Sequence, residues 1–232
     1  MDVLFPKRCV MCEAEADEGD FCGSCLTGLN QENTAACARC GMTVPDFRHQ
    51  CQTCSACQRH RPKFDGVVRL GRYQGKLREA LLKMKHAWEE PLAAALAGRW
   101  WQCQAAEFQA WQPDVVVPIP LHWKRRWLRG ANSPDVLAQV LASRLHLPTI
   151  PRLLVRLRDT QPQGRLNREQ RRVNMRQAFS FNNNFEITDA CVLLVDDILT
   201  TGATLNEATK VLKKAGARRV IVAAAGRAEG LG

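Results

Sequence analysis

Two adjacent carboxylates followed by hydroxyls and one glycine are the residues of this sequence best suited to chemistry. Asp196 and Asp197 come directly after residues 190–195, an apolar run with the composition of a strand buried on both faces of a parallel sheet. A helix with regular apolar spacing is predicted over residues 205–215. The loop between strand and helix consists of Thr200, Thr201, Gly202, Ala203 and Thr204. Such a loop presents backbone N–H groups at a helix start, where phosphate binds.

The acids add a second binding element to this loop. Carboxylates at the carboxyl end of a strand accept hydrogen bonds from vicinal sugar hydroxyls or hold a divalent cation. The loop and the two acids therefore predict a site for a ribose 5-phosphate. The alternative is an ordinary helix start with Thr201 or Thr204 as N-cap, but capping does not account for two adjacent carboxylates. A Walker loop is excluded because no Gly-Lys-Ser/Thr follows.

The segment 192–205 resembles the ribose-phosphate signature of type I phosphoribosyltransferases. In that family such a loop holds the 5-phosphate of phosphoribosyl pyrophosphate, and the acidic pair contacts its ribose hydroxyls. The resemblance implies that Asp196 and Asp197 belong to the catalytic centre. It also implies that Mg²⁺ accompanies a ligand like phosphoribosyl pyrophosphate.

Four Cys-x-x-Cys units dominate the first part of the chain, which holds nine of the eleven cysteines. Their cysteines are Cys9, Cys12, Cys22, Cys25, Cys37, Cys40, Cys54 and Cys57. Two such units complete a tetrahedral four-sulfur zinc site. Sequential pairing predicts two structural zinc ions in a double zinc ribbon spanning residues 1–63. An interleaved pairing, Cys51 in place of Cys54, and His49 or His60 as ligands are alternatives.

Several features predict a cytoplasmic protein without membrane insertion. Thiols stay reduced in the cytosol, where metal explains many cysteines better than disulfides do. No apolar run approaches the roughly 20 residues that span a bilayer. Residues 1–8 lack the apolar region of a signal peptide.

The net charge of +10 is unevenly distributed. Residues 1–63 carry a net charge of −1, whereas residues 122–176 hold 13 Lys and Arg against 3 acids. Such a concentration of cations indicates a surface that faces phosphates, either of a nucleotide or of a nucleic-acid strand.

Two basic stretches in this segment are candidates for pyrophosphate or nucleic-acid binding. The candidate residues are His122, Lys124, Arg125 and Arg129 after a predicted strand at 114–121, and Arg168, Arg171 and Arg172 in a predicted helix at 167–176. The second stretch is either a lid over an anionic site or a solvated arm. Trp123 and Trp127 either stack on bases or pack inward.

Residues 64–232 alternate strands with helices, which predicts an α/β fold. Further strands are expected near 67–73, 153–155, 178–181 and 219–225, and helices at 76–87, 91–104 and 133–145. The economical arrangement is a type I phosphoribosyltransferase-like, doubly wound, mostly parallel sheet of about five strands with an antiparallel start. The zinc ribbon forms a small N-terminal domain before it.

The chain as a whole resembles the ComF family, bacterial proteins tied to competence and the use of external DNA. The resemblance rests on the cysteine units, Phe64-Asp65, Pro118-Ile119-Pro120-Leu121-His122, Arg129-Gly130-x-Asn132, Arg158-x-Thr160-x-x-Gln163, Arg171-x-x-Asn174, Ala178-Phe179 and the Asp-Asp loop. It implies action near single-stranded DNA and a helicase-like competence protein.

Two functions follow from these patterns. One is a Mg²⁺-dependent phosphoribosyltransferase that acts on an unidentified base or nucleotide-related acceptor. The other is a non-catalytic protein that binds a phosphoribosyl ligand and single-stranded DNA while the zinc ribbon docks a partner protein. The sequence alone does not choose between turnover and binding, because fold does not fix function.

Overall fold

A computed structural model describes residues 7–16, 19–44, 54–86, 89–122, 132–160 and 167–229 of the chain. The strands are β1 (Gly66–Arg72), β2 (Val115–Pro118), β3 (Leu154–Arg156), β4 (Phe179–Phe181), β5 (Cys191–Leu199) and β6 (Arg219–Arg227). The helices are α1 (Gly23–Gln31), α2 (Ser55–Arg59), α3 (Gly75–Lys83), α4 (Glu90–Ala110), α5 (Ser133–Leu145), α6 (Arg168–Met175) and α7 (Ala203–Lys214). No helix within these ranges is both long and apolar enough to cross a bilayer.

Four parallel strands in the order β1-β6-β5-β2 form the central sheet. The α/β class and the parallel sheet are confirmed. The antiparallel start is wrong, because β1 pairs parallel to β6 with Val67 opposite Val222. Instead of a fifth strand, Thr149 adds a single parallel bridge beside Val116. The antiparallel pair in the described residues, β3 with β4, is a separate small sheet.

Strand β5 is apolar on both faces because helices cover both sides of the sheet. Val192 and Leu194 pack in the cluster that contains the buried face of α7. Leu193 and Val195 point the opposite way and pack with α4 and α5, where Trp100 is fully buried. The period-2 alternation of a strand thus assigns successive residues of one apolar run to two separate cores.

Helix α5 has the predicted bounds because its ends carry clear signals. Pro134 lies in the first turn, Asp135 is placed favourably at the positive end of the dipole, and Arg144 lies in the last turn. The helix ends at His146 in the left-handed conformation, with a φ of 57°. Helix α4 runs further than predicted, to Ala110, across a kink at Gln104.

The first zinc-ribbon half shares its core with the sheet. Met11 and Leu29 are buried in the same cluster as Val68 and Leu70 of β1. The approach is close: a Cβ at Gly71 would lie 2.6 Å from the Glu32 carbonyl oxygen. The ribbon is therefore packed directly on strand β1.

A buried ion pair fixes the second ribbon half. Arg69 of β1 is 2% exposed and lies 3.0 Å from the Glu229 carboxylate. The guanidinium also donates to the main chain and hydroxyl of Thr34 and to the Thr43 hydroxyl. Partial burial opposes ionisation of Glu229, but the hydrogen bonds from Thr43 and the charge of Arg69 hold its pKa below the usual value.

We expect Glu229→Ala to lower the free energy of unfolding by about 2 kcal/mol, because it leaves the Arg69 guanidinium without its carboxylate. Urea denaturation measures the change. Glu169→Ala is the matched control, since its ion pair with Arg172 is exposed to solvent and contributes little to stability. Equal small losses in both variants would contradict the structural importance of the Arg69 pair.

Candidate functional site

The two carboxylates lie in the part of β5 that pairs with β6 but no longer with β2. Val195 is the last residue of β5 opposite β2, where it faces Pro118. Strand β5 nevertheless continues to Leu199 beside β6, with Asp196 opposite Ala224. The predicted strand end at residue 195 is therefore wrong, and both acids belong to the strand. Their edge on the β2 side has no neighbouring strand in the described residues.

The acids lie close together. The Asp197 N–H donates to the Asp196 carboxylate at 2.9 Å. Burial raises the pKa of Asp196 well above its usual value, and the negative charge of Asp197 raises it further. Arg156 opposes this shift, but no ion pair to either acid occurs among the described side chains. The pair thus favours a divalent cation or sugar hydroxyls as neighbours.

The helix after the loop starts without a capping side chain. Its N-cap is Gly202, with a φ of 77°, a conformation that glycine adopts without steric cost. Thr201 and Thr204 do not occupy the N-cap position, so the capping alternative is wrong. The first N–H groups of a helix lack intrahelical partners, and those of α7 have no N-cap side chain to satisfy them. They can bind an anion.

Thr200 and Thr201, which precede the helix, are both partly exposed. The Thr201 hydroxyl oxygen is shielded and has no hydrogen-bond partner in the described part of the chain. The structure thus brings both acids and all five loop residues to the carboxyl end of β5.

Two arginines near the site carry no sequence motif and were not predicted. Arg156 of β3 is near enough to Asp196 for its positive charge to oppose the rise of the Asp196 pKa. Arg227, at the end of β6, donates to the carbonyl oxygens of Leu199 and Thr200 at the start of the loop. Their positions depend on strand pairing, which single-sequence patterns do not give.

The other predicted anion-binding residues have different positions. Lys124, Arg125 and Arg129 lie outside the described residues, as do Trp123 and Trp127. His122 is 5% exposed, immediately before them. Arg171 is 7% exposed, Arg172 is exposed, and the Arg168 side chain is outside the description.

Helix α6 nevertheless lies beside the loop. A cleft of about 520 Å³ is lined by Arg172 and Glu169 of α6, by Thr201, Ala203 and Asn206, and by His60. Arg172 is ion-paired with Glu169 at 2.7 Å. The predicted basic helix is therefore adjacent to the loop at residues 200–204.

A second cleft of about 330 Å³ continues from the first and shares Arg172, Ala203 and Asn206 with it. Its cationic lining residues are Arg61, Lys63, Arg172, Arg176 and Lys210. Glu207 is its acidic lining residue, paired with Lys210 at 2.8 Å. We call this cleft the basic groove.

The cysteines form two clusters with the predicted sequential pairing. One contains Cys9, Cys12, Cys22 and Cys25; the other contains Cys37, Cys40, Cys54 and Cys57. The sulfur atoms of each cluster lie within 4.8 Å of one another. Tetrahedral zinc with Zn–S bonds of about 2.3 Å places its sulfurs roughly 3.8 Å apart. The observed separations of 3.6 Å for Cys12–Cys22 and 4.0 Å for Cys37–Cys57 fit this geometry.

The chemistry of the thiols also fits zinc. Burial raises the pKa of Cys40, and the neighbouring Cys57 and Cys54 sulfurs raise it further. In the same cluster burial opposes ionisation of Cys37, but main-chain hydrogen bonds at Cys54, Arg39 and Cys40 lower its pKa to about 7. Four close sulfurs that favour opposite protonation states require a divalent cation to ionise together. Cys51 and His49 lie outside the described residues.

Comparisons with known proteins agree with a domain built on the parallel sheet and a preceding region with two cysteine clusters. The phosphoribosyl transferase domain model matches residues 135–228, and the double zinc ribbon domain model matches residues 1–58. Among solved structures, the chain is similar to a purine phosphoribosyltransferase from Pyrococcus horikoshii, with 18% identity, a TM-score of 0.36, and coverage of 60% of this chain and 73% of that one. It also resembles the glutamine phosphoribosylpyrophosphate amidotransferase from B. subtilis, with 21% identity, a TM-score of 0.39, and coverage of 57% and 26%.

The fold and the two cysteine clusters define a protein with a type I phosphoribosyltransferase-like fold and an N-terminal double zinc ribbon. The sequence is 30% identical to competence protein F of Haemophilus influenzae over 225 residues, covering 94% of this chain and 96% of that protein. It is 28% identical to the DNA utilization protein YhgH of Salmonella typhimurium, with 94% and 95% covered, and 29% identical to competence protein ComFC of Bacillus subtilis, with 84% and 78% covered. The chain belongs to the ComF family.

Purified protein should contain two zinc ions per chain, and Cys40→Ser should contain one, because loss of one thiolate breaks a four-sulfur site. Metal analysis of the dialysed protein measures this content. Cys191→Ser is the control, since Cys191 is buried in the sheet outside both clusters. Two zinc ions retained in Cys40→Ser would contradict the assignment.

Proposed function

We propose that the site at the end of β5 binds the ribose 5-phosphate part of a ligand like phosphoribosyl pyrophosphate, together with Mg²⁺. The observation that carries the proposal is the juxtaposition of a helix start without a capping side chain and two adjacent carboxylates on an open strand edge. The helix start supplies N–H donors for a phosphate. The acids supply acceptors for vicinal hydroxyls or oxygen ligands for Mg²⁺.

The charge of the site supports a cationic partner. Asp196 has a raised pKa because burial and the charge of Asp197 both disfavour its ionised form. Mg²⁺ next to the pair would favour the ionised form of Asp196 and displace its proton. When bound, Mg²⁺ neutralises charge on a pyrophosphate group. The protein's own part is to orient the sugar through Asp196 and Asp197 and the phosphate through residues 200–204.

The relatives named for competence and for DNA utilisation support a role in handling DNA. We place this role in the cytoplasm, where thiolate zinc sites are stable. A helicase-like competence protein is the partner that the family resemblance implies. Transfer of the phosphoribosyl group to a base would be a further step beyond binding, and pyrophosphate release would report it.

A second function, binding of single-stranded DNA, is favoured by the basic groove. Arg61, Lys63 and Arg176 are exposed there, and none of the acids within the described residues forms an ion pair with them. Arg172 and Lys210 add charge that Glu169 and Glu207 partly offset. A groove lined by cations suits a phosphodiester backbone, because the cations attract the phosphates whatever the base sequence.

Calorimetry should detect binding of phosphoribosyl pyrophosphate in the presence of Mg²⁺, and Asp196→Asn with Asp197→Asn should abolish it. Asp189→Asn is the matched control, because Asp189 is an exposed acid before the start of β5 and asparagine tolerates its φ of 58°. No heat of binding to the wild-type protein at millimolar ligand would contradict the proposal.

The same binding should release a proton and weaken as the pH falls. The ionised form of Asp196 is populated only above its raised pKa, so affinity is lost as the pH is lowered through that value. Titrations in buffers of different ionisation enthalpy measure the released proton. Unchanged affinity and no proton release at any pH at which the protein stays folded would show that Asp196 does not contact the ligand or its metal.

Single-stranded DNA should bind with an affinity that falls steeply with salt, and Arg61→Ala with Arg176→Ala should weaken it. Each lost phosphate contact reduces the slope of log K against log salt by about 0.7. Fluorescence anisotropy over a salt series measures both quantities. The control, Lys214→Ala with Arg218→Ala, removes the same charge near the amino end of β6. Equal weakening by both pairs would rule out the groove as the site.

A further inference from the structure

Arg227 connects the second zinc cluster to the loop at the end of β5. Its Nε donates to the Cys40 carbonyl oxygen at 3.0 Å. Its Nη1 donates to the Leu199 carbonyl at 2.9 Å and to the carbonyls of Thr200 and Ala228. One guanidinium therefore bridges the loop that follows the two acids and the turn formed by the Cys37-x-x-Cys40 unit. We call the turn of such a Cys-x-x-Cys unit a knuckle.

The bonds to the loop fix the direction of its amides. A peptide unit is planar and trans, so its C=O and its N–H point in opposite directions. Because the Leu199 and Thr200 carbonyls point toward Arg227, the N–H groups of Thr200 and Thr201 point away from it. Nη1 carries two N–H groups and donates to both of these carbonyls, while Nε donates to Cys40. Arg227 thereby orients the Thr201 N–H, and it orients the Thr200 N–H together with the Ala228 N–H, which also donates to the Leu199 carbonyl at 2.9 Å.

The bond to Cys40 depends on the knuckle. The Gly41 N–H donates to the Cys37 carbonyl and the Cys37 N–H donates to the Met42 carbonyl, which closes the turn around the two thiolates. Four thiolates hold such a turn only when a metal ion is bound, because the sulfurs otherwise repel one another or protonate. Loss of the ion from this cluster would release the acceptor that holds the Arg227 Nε.

The first zinc cluster provides a comparison within the same chain. Its Cys9-x-x-Cys12 knuckle also accepts a hydrogen bond from a cationic side chain, since Lys83 Nζ donates to the Met11 carbonyl at 2.6 Å. Lys83 belongs to α3, however, and Leu199 and Thr200 receive no bond from it in the described residues. The two knuckles are alike in chemistry, but only the second is joined to the loop through Arg227.

We propose that Arg227 is a positioning residue through which zinc in the second cluster sets the geometry of the phosphate-binding loop. This inference rests on the proposed binding of a phosphoribosyl ligand. Because coupling between two sites is reciprocal, a ligand that orders the loop must also retain the zinc of the second cluster. The first cluster should retain its zinc equally well with and without the ligand.

Zinc release to a chromogenic chelator, with and without phosphoribosyl pyrophosphate and Mg²⁺, tests the coupling. We expect the chelator, titrated to equilibrium, to remove zinc from the wild-type protein in two transitions, and we expect saturating ligand to raise the chelator concentration needed for one of them about tenfold, the equivalent of about 1.4 kcal/mol. The transition that is missing in Cys40→Ser identifies the second cluster. A shift of the other transition, or of neither transition while the ligand is bound, would overturn the inference.

Arg227→Met removes the donors and keeps an apolar side chain. We expect this variant to keep two zinc ions, to bind the ligand about tenfold more weakly, and to lose the protection of the second cluster. Lys83→Met is the matched control and should bind the ligand within about twofold of the wild type, since each factor of ten corresponds to about 1.4 kcal/mol. If Arg227→Met does not fold, the release measurement on the wild-type protein decides the question.

The outcomes separate this inference from the proposed function. Absence of ligand binding to the wild-type protein would refute the proposed function and this inference with it. Wild-type binding with equal affinity in Arg227→Met would refute the positioning role alone.

Discussion

The site depends on the hydrogen-bond ladder between β5 and β6, which continues for four residues after β2 has ended. This continuation keeps Asp196 and Asp197 in a rigid strand while one edge of that strand stays open. A loop would have placed the same acids less accurately. The general location, at the carboxyl ends of parallel strands, follows the rule for open α/β sheets. The specific geometry comes from unequal strand lengths.

The zinc ribbon contributes more than a separate metal-binding domain would. Its first half is packed on β1, and its second half receives hydrogen bonds from Arg69 and Arg227. Both arginines have main-chain or hydroxyl acceptors in the ribbon, and burial lowers the pKa of both. Structural metal therefore stabilises a surface next to the carboxyl end of the sheet, where the candidate site lies.

Much of this fold could be predicted from the sequence because local signals were strong. Repeated Cys-x-x-Cys units gave both metal clusters, and the pattern at residues 133–145 gave both ends of a helix. The site residues in the Asp-Asp loop lie together as expected, although their roles stay predictions. The end of β5 was misplaced because strand length depends on pairing with β6, which no local pattern records. Arg156 and Arg227 were missed for the same reason.

The shared core of the ribbon and β1 restricts how such a chain can change over evolution. Met11 and Leu29 on one side and Val68 and Leu70 on the other are buried in one common core. A recombination event between them would leave exposed apolar surface on both products, so the two parts must be inherited together. The competence and DNA utilization relatives, which align along 94% of this chain, have kept that combination.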